Sequence, residues 1–170
     1  MIDTPASAIA EIRRLGLPDM FREVMEETLA DDETVPAYLR WNSKFPRVYF
    51  GLCHDLAERV PDLKSLCPLW QENGEAIIGR LADGSYVEFY YEDAGLENPE
   101  TSVRVLGKNY QQFVTTILTR LAEAGLWKEY ATEVGNTLEF KHLKELENLL
   151  EAWTEEHGDK ELDNFRDSLV

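Results

Sequence analysis

Three side chains in this sequence, Cys53, His54 and Cys67, are the first candidates for chemistry, because thiolates and an imidazole can bind zinc. Their spacing matches no common C-x₂₋₄-C pairing, and no fourth ligand is apparent. A thiol nucleophile needs a nearby histidine and a group to orient it. His142 is available in the composition, but nothing local ties it to either cysteine. The chain also lacks G-x-S-x-G, a phosphate-cradling glycine loop and H-E-x-x-H. The residues therefore predict no catalytic group, no metal site and no cofactor, and a protein that is not an enzyme.

Carboxylates are abundant, so any single pair says little. Glu88 and Glu92 alternate onto one strand face with Tyr90 between them. A glycosidase would place two such groups across a cleft, one with a raised pKa. Two acids on a strand flanked by further acids read instead as a solvated face or a recognition stripe. Tyr86, Glu88, Tyr90, Glu92, Asp93 and, in the next loop, Glu97 are the expected partner-binding residues. Aromatic rings give rigid contact area, and carboxylates beside them pair with lysine and arginine. The competing reading packs Tyr86 and Tyr90 beneath a helix.

The elements that must position these residues follow from turn signals and periodicity. Thr4-Pro5 caps a first helix that Gly16 ends, and Leu17 to about Leu29 continues at helical spacing. Pro36 opens a short third helix through Trp41. Val48-Tyr49-Phe50 reads equally as strand or helix, while Asp55 to Val60 is helical up to Pro61. Leu69-Trp70 forms an edge strand, and Ala76–Leu81 and Tyr86–Glu92 form a hairpin about Asp83-Gly84. A two-residue turn there pairs Ile78 with Phe89 and Ile77 with Tyr90. Ile78, Val87, Phe89 and Tyr91 then share a core face. Ile77, Leu81, Tyr86, Glu88, Tyr90 and Glu92 share a partly open one. After a loop through Pro99, Thr101–Leu106 is the last strand. Asn109 and Gln112 form a capping box for a helix whose stripe runs from Tyr110 to Leu121 and packs on the sheet. Gly125 stops it, Thr137–His157 is a second long helix, and Gly158 ends that one.

The chain has 170 residues and a net charge of −16. Residues 1–36 contribute −6, residues 72–107 contribute −6 and residues 128–170 contribute −7, whereas residues 37–71 carry +2. Such acidity argues against nucleic acid and anionic membranes, which require Lys and Arg. It suits simple solubility or a basic protein partner. No apolar run approaches a membrane span, the N-terminus lacks the pattern of a secretion signal, and two cysteines make no disulfide framework. A cytoplasmic protein of one domain over 1–170 is expected. Its fold class is α+β: a central, mainly antiparallel sheet of about four to six strands flanked by helices, with helical N- and C-terminal extensions.

Three stretches resemble the SUKH superfamily of mostly bacterial proteins. Val35-Pro36-Ala37-Tyr38-Leu39-Arg40-Trp41-Asn42 resembles its early proline-led helix. Leu66-Cys67-Pro68-Leu69-Trp70, with Ile77-Ile78-Gly79 and Val87-Glu88-Phe89, resembles its central strands. Val105-Leu106 with Tyr110-Gln111-Gln112-Phe113-Val114 resembles its last strand and following helix. The likeness covers a core of about 35–122, and 128–170 extend past it. It implies a cytoplasmic immunity protein that neutralises a cognate toxin, frequently a nuclease, by direct binding. It offers no catalytic residues. The alternative is a protein-interaction or regulatory module of the same fold with no toxin, and homo-oligomerisation stays open. A small hydrolase using scattered carboxylates is a third reading, which a deep cleft with convergent acids would favour.

Overall fold

The computed structural model of the chain describes residues 1–72, 76–90, 103–152 and 158–170. They form an α+β structure with a four-stranded antiparallel sheet and, among the described residues, eight α-helices. They group into two compact units, Met1–Leu106 and Gly107–Val170, and the boundary falls inside the expected 35–122 core.

In the first unit, α1 (Pro5–Leu15) starts at Thr4, whose hydroxyl accepts from the Ser7 amide at 3.2 Å while the Ser7 hydroxyl accepts from the Thr4 amide at 3.2 Å. Gly16 ends it in the left-handed region, with φ 63°. Two short helices follow, α2 (Asp19–Met25) and α3 (Ala37–Asn42), each entered through a proline. The ambiguous stretch at Val48-Tyr49-Phe50 is helical, within α4 (Arg47–Arg59). Its buried side chains Tyr49, Cys53 and Leu56, with Val60 just beyond, recur at steps of four and three.

The strands are β1 (Cys67–Glu72), β2 (Ala76–Arg80), β3 (Tyr86–Tyr90) and β4 (Val103–Gly107), in the order β1-β2-β3-β4. The hairpin register differs from the expected one by a single residue: Ile77 pairs with Phe89 and Ile78 with Glu88. The turn has three residues instead of two. Leu81 donates to the Ser85 carbonyl at 2.8 Å and accepts from the Gly84 amide at 3.1 Å. Gly84 supplies a φ of 97°. Asp83 accepts from the Ser85 amide at 2.9 Å and hydroxyl at 2.6 Å, which fixes the longer turn.

A one-residue slip exchanges the faces of a whole strand. Ile77 therefore joins Val87 and Phe89 on one face, where they form a buried cluster with Tyr49, Cys53, Leu56 and Val60 from α4 and its end, plus Leu63 and Leu66. Ile78 moves to the opposite face with Glu88, Tyr86 and Trp70. There α1 and α2 lie against β1, and Phe21 stacks on Trp70 with ring centroids 5.6 Å apart. Both faces are covered, so consecutive residues of β1, β2 and β3 are buried. Tyr91 of the expected core face lies outside the described residues.

The second unit is helical. α5 (Tyr110–Glu123) buries Phe113, Val114, Ile117, Leu118 and Leu121, the expected stripe. The Asn109 side chain accepts from the Gln112 amide at 3.0 Å, but Gln112 does not close a capping box. Its side-chain oxygen takes the Lys108 amide at 2.9 Å, and its nitrogen donates to the Leu169 carbonyl at 3.1 Å. Of the expected long helix Thr137–His157, Thr137 is the last residue of α6 (Trp127–Thr137), α7 (Leu143–Glu151) is helical, and residues 153–157 lie outside the described residues. Between α6 and α7 Glu139 adopts φ 53°, and the Tyr110 hydroxyl donates to the Leu138 carbonyl at 2.8 Å. Gly135 lets the two helices meet, since a Cβ there would lie 3.1 Å from Leu143 Cδ1. Gly158, expected to end the long helix, is the first residue of α8 (Gly158–Ser168).

Candidate functional site

The expected recognition face divides in three. Tyr86 and Glu88 are only 2% exposed, because their side of the sheet is covered. Burial pushes the Tyr86 hydroxyl up to about 12, with Arg80 acting in the opposite direction. As placed, neither side chain can offer surface to a partner. Tyr90, at the end of β3, is half-buried. Glu92, Asp93 and Glu97 lie outside the described residues.

The cysteines are no closer to chemistry. Cys53 and Cys67 are both buried and free. Cys53 sits in the α4 cluster, while Cys67 lies opposite Arg80 on the other face. Burial, reinforced by Glu11, pushes the Cys67 thiol up to about 12, whereas a nucleophilic thiolate needs a depressed value. Among the described residues no three His, Cys, Asp or Glu side chains converge to hold a metal ion. Likewise among them, no helix is long and apolar enough to cross a membrane.

One pair of carboxylates does meet. Glu23 on α2 and Asp32, after the turn that ends α2, interact side chain to side chain. Asp32 accepts from the Thr34 amide at 2.8 Å and hydroxyl at 2.6 Å, which holds it below the usual carboxylate range. Glu23 moves the other way: burial and then the Asp32 charge raise it, and its Oε2 is buried without a hydrogen-bond partner. Arg22 is 3.8 Å away but is held more closely by Glu26, at 2.6 Å. The pair lies within the first unit.

What sequence reasoning missed is in the second unit. A cavity of about 660 Å³ opens among α5, α6, α7 and α8. Trp127, Leu150 and Leu162 give it apolar walls, and Glu123, Glu147, Glu151 and Asp159 bring carboxylates to it. The only signal for it in the sequence is the −7 charge of residues 128–170, since the four helices that build it are assembled by packing. Elsewhere in this unit, Glu133, Glu161 and Asp167 are exposed and make no ion pair among the described residues.

No family model, no curated protein and no solved structure matches the chain.

Proposed function

We propose that this protein works by binding a basic protein partner, and that the partner is a bacterial toxin which it neutralises in the cytoplasm as an immunity protein. One observation carries the binding half of this reading. The helical unit concentrates exposed carboxylates with no ion pair among the described residues, Glu123, Glu133, Glu151, Asp159, Glu161 and Asp167. Exposed carboxylates outside the fold's ion pairs accelerate encounter with a positively charged surface. The toxin half rests on the SUKH-like stretches at 35–42, 66–89 and 105–114, and on the basic character expected of a protein that handles nucleic acid.

The test is co-purification with the products of adjacent genes, followed by a growth assay. A salt-sensitive complex with a neighbouring product that is toxic alone and harmless when co-expressed supports the reading. A stable complex with a non-toxic neighbour replaces it with the interaction-module alternative. No complex with any neighbouring product overturns it.

A further inference from the structure

The cavity of about 660 Å³ in the helical unit falls within the range of pockets that enclose a small ligand or an anchoring side chain. Its chemistry is divided. The indole of Trp127 and the partly buried Leu150 and Leu162 supply apolar wall. Of its carboxylates, Glu147 is already paired with Lys144 at 2.6 Å. Glu123, Glu151 and Asp159 have no ion-pair partner among the described residues, and Lys128 is the cation on the lining.

Each class of occupant can be weighed against that lining. An anion meets repulsion from three unpaired carboxylates. A neutral apolar ligand strips water from those carboxylates and returns nothing, which is costly. A cation on an apolar stem satisfies both halves of the wall. Of the two biological side chains of that kind, arginine fits better. Its planar guanidinium is weakly hydrated, stacks on an indole face and takes carboxylates in a bidentate way, whereas the lysine ammonium is a compact, strongly hydrated point charge.

We propose that this cavity is the docking site for an arginine side chain, flanked by apolar residues, from a basic segment of the partner. The inference rests on the proposed function for the identity of the partner, and on the charge complementarity of the cavity for its chemistry.

The full chain should be titrated with a blocked peptide in which two arginines alternate with leucines. Calorimetry and indole fluorescence would follow binding at low salt. A second peptide would carry neutral citrulline in place of each arginine. We expect the arginine peptide to bind and the citrulline peptide to bind at least about tenfold more weakly. The double variant Glu123→Gln/Glu151→Gln should lose a similar factor with unchanged helical content. The control Asp31→Asn/Glu33→Gln, at two exposed acids of the first unit outside the cavity lining, should stay within about twofold of the parent. Equal weakening in both variants would mean diffuse electrostatics and would overturn the assignment, as would equal binding of both peptides.

The partner separates the two readings. Loss of both peptide and toxin in the Glu123/Glu151 variant supports the inference. Loss of the peptide alone, with toxin binding retained, overturns it and leaves the proposed function standing. Specific peptide binding with no toxin among the neighbouring products leaves the arginine site in place and overturns the function.

Discussion

Replacing Glu23 by glutamine should make the protein more stable at neutral pH, although it removes a charged side chain beside an arginine. The Glu23 side chain keeps 18% of its exposure, yet its Oε2 is fully buried and no group donates to it. Protonated, Glu23 can donate to Asp32. Ionised, it faces the Asp32 charge across the same contact, with Asp19 also raising it and only Arg22 lowering it. Folding therefore raises the Glu23 pKa above its ordinary value of 4.5. The native state holds that proton more tightly than the unfolded chain does. The contribution of Glu23 to stability is thus fully present below pH 4.5 and is lost as pH rises through the raised value. Asp32 has the opposite sign: its pKa is lowered, so its contribution is lost as pH falls through its folded value, below 3.8.

Glutamine keeps the shape of Glu23, can donate to Asp32 and carries no charge. An unsatisfied buried polar group costs about 1–3 kcal/mol, and Arg22 at 3.8 Å returns part of that. A net gain of about 1 kcal/mol near pH 7 corresponds to roughly 2–4 °C in Tm for a chain of this length. Paired thermal melts of parent and Glu23→Gln between about pH 4 and pH 8 would measure it. The difference should be close to zero at the acid end and grow in favour of glutamine as pH rises. A variant less stable than the parent at neutral pH, or a difference that does not depend on pH, would refute the account of Glu23 as a buried, unsatisfied carboxylate.

Other expectations follow from close packing. Gly107→Ala places a Cβ against the Phe113 nitrogen and 2.8 Å from the Gln112 carbonyl carbon, backbone atoms that cannot give way, so urea denaturation should show a loss of about 2 kcal/mol or more. Ile77→Ala removes a fully buried side chain from the α4 cluster and should cost about 2–5 kcal/mol by the same measurement. Tyr49→Phe deletes a hydroxyl that lies 2.9 Å from the Ile2 carbonyl and 3.1 Å from the Leu66 carbonyl, at an expected cost of about 1–3 kcal/mol. Cys53 and Cys67 should resist alkylation in the native protein and label fully in denaturant, and rapid labelling of the native state would contradict their burial.

The parts of the fold legible in the sequence are those signalled locally. Thr4-Pro5, Gly16, Asn109 and the Tyr110-to-Leu121 stripe each declare themselves within a turn or two of helix. The missed features depend on contacts made elsewhere. Gly51 obscures the helical spacing of Tyr49, Cys53 and Leu56, although it is exposed and nothing lies within 4 Å of a Cβ there. The break at Glu139 carries no glycine or proline. It is held by α5, through the Tyr110 hydroxyl and through Gln111, which takes the Lys141 amide at 2.9 Å. Asp83-Gly84 correctly announces a hairpin, but the Ser85 contacts to Asp83 lengthen its turn by one residue. That single residue is enough to exchange Ile77 and Ile78 between faces.

The same exchange bears on where recognition can occur. An antiparallel sheet commonly leaves one face in water, and alternating aromatic and acidic residues such as Tyr86, Glu88 and Tyr90 suit such a face. Here α4 packs on one face, while α1 and α2 lie against β1 on the other, and Tyr86 and Glu88 are buried. Strands β1 to β3 are therefore buried apart from their ends, while Arg104 and Val105 of β4 stay exposed. A carboxylate can make direct contact with a partner only where it is exposed. Weighted in that way, the −6 of residues 72–107 loses Glu88, while the −7 of residues 128–170 keeps Glu133, Glu151, Asp159, Glu161 and Asp167. The helical unit thus keeps exposed acidity that can meet a partner. It also holds the cavity where that acidity adjoins an indole and two leucines, so an approach guided by charge can end in a contact that selects for side-chain shape.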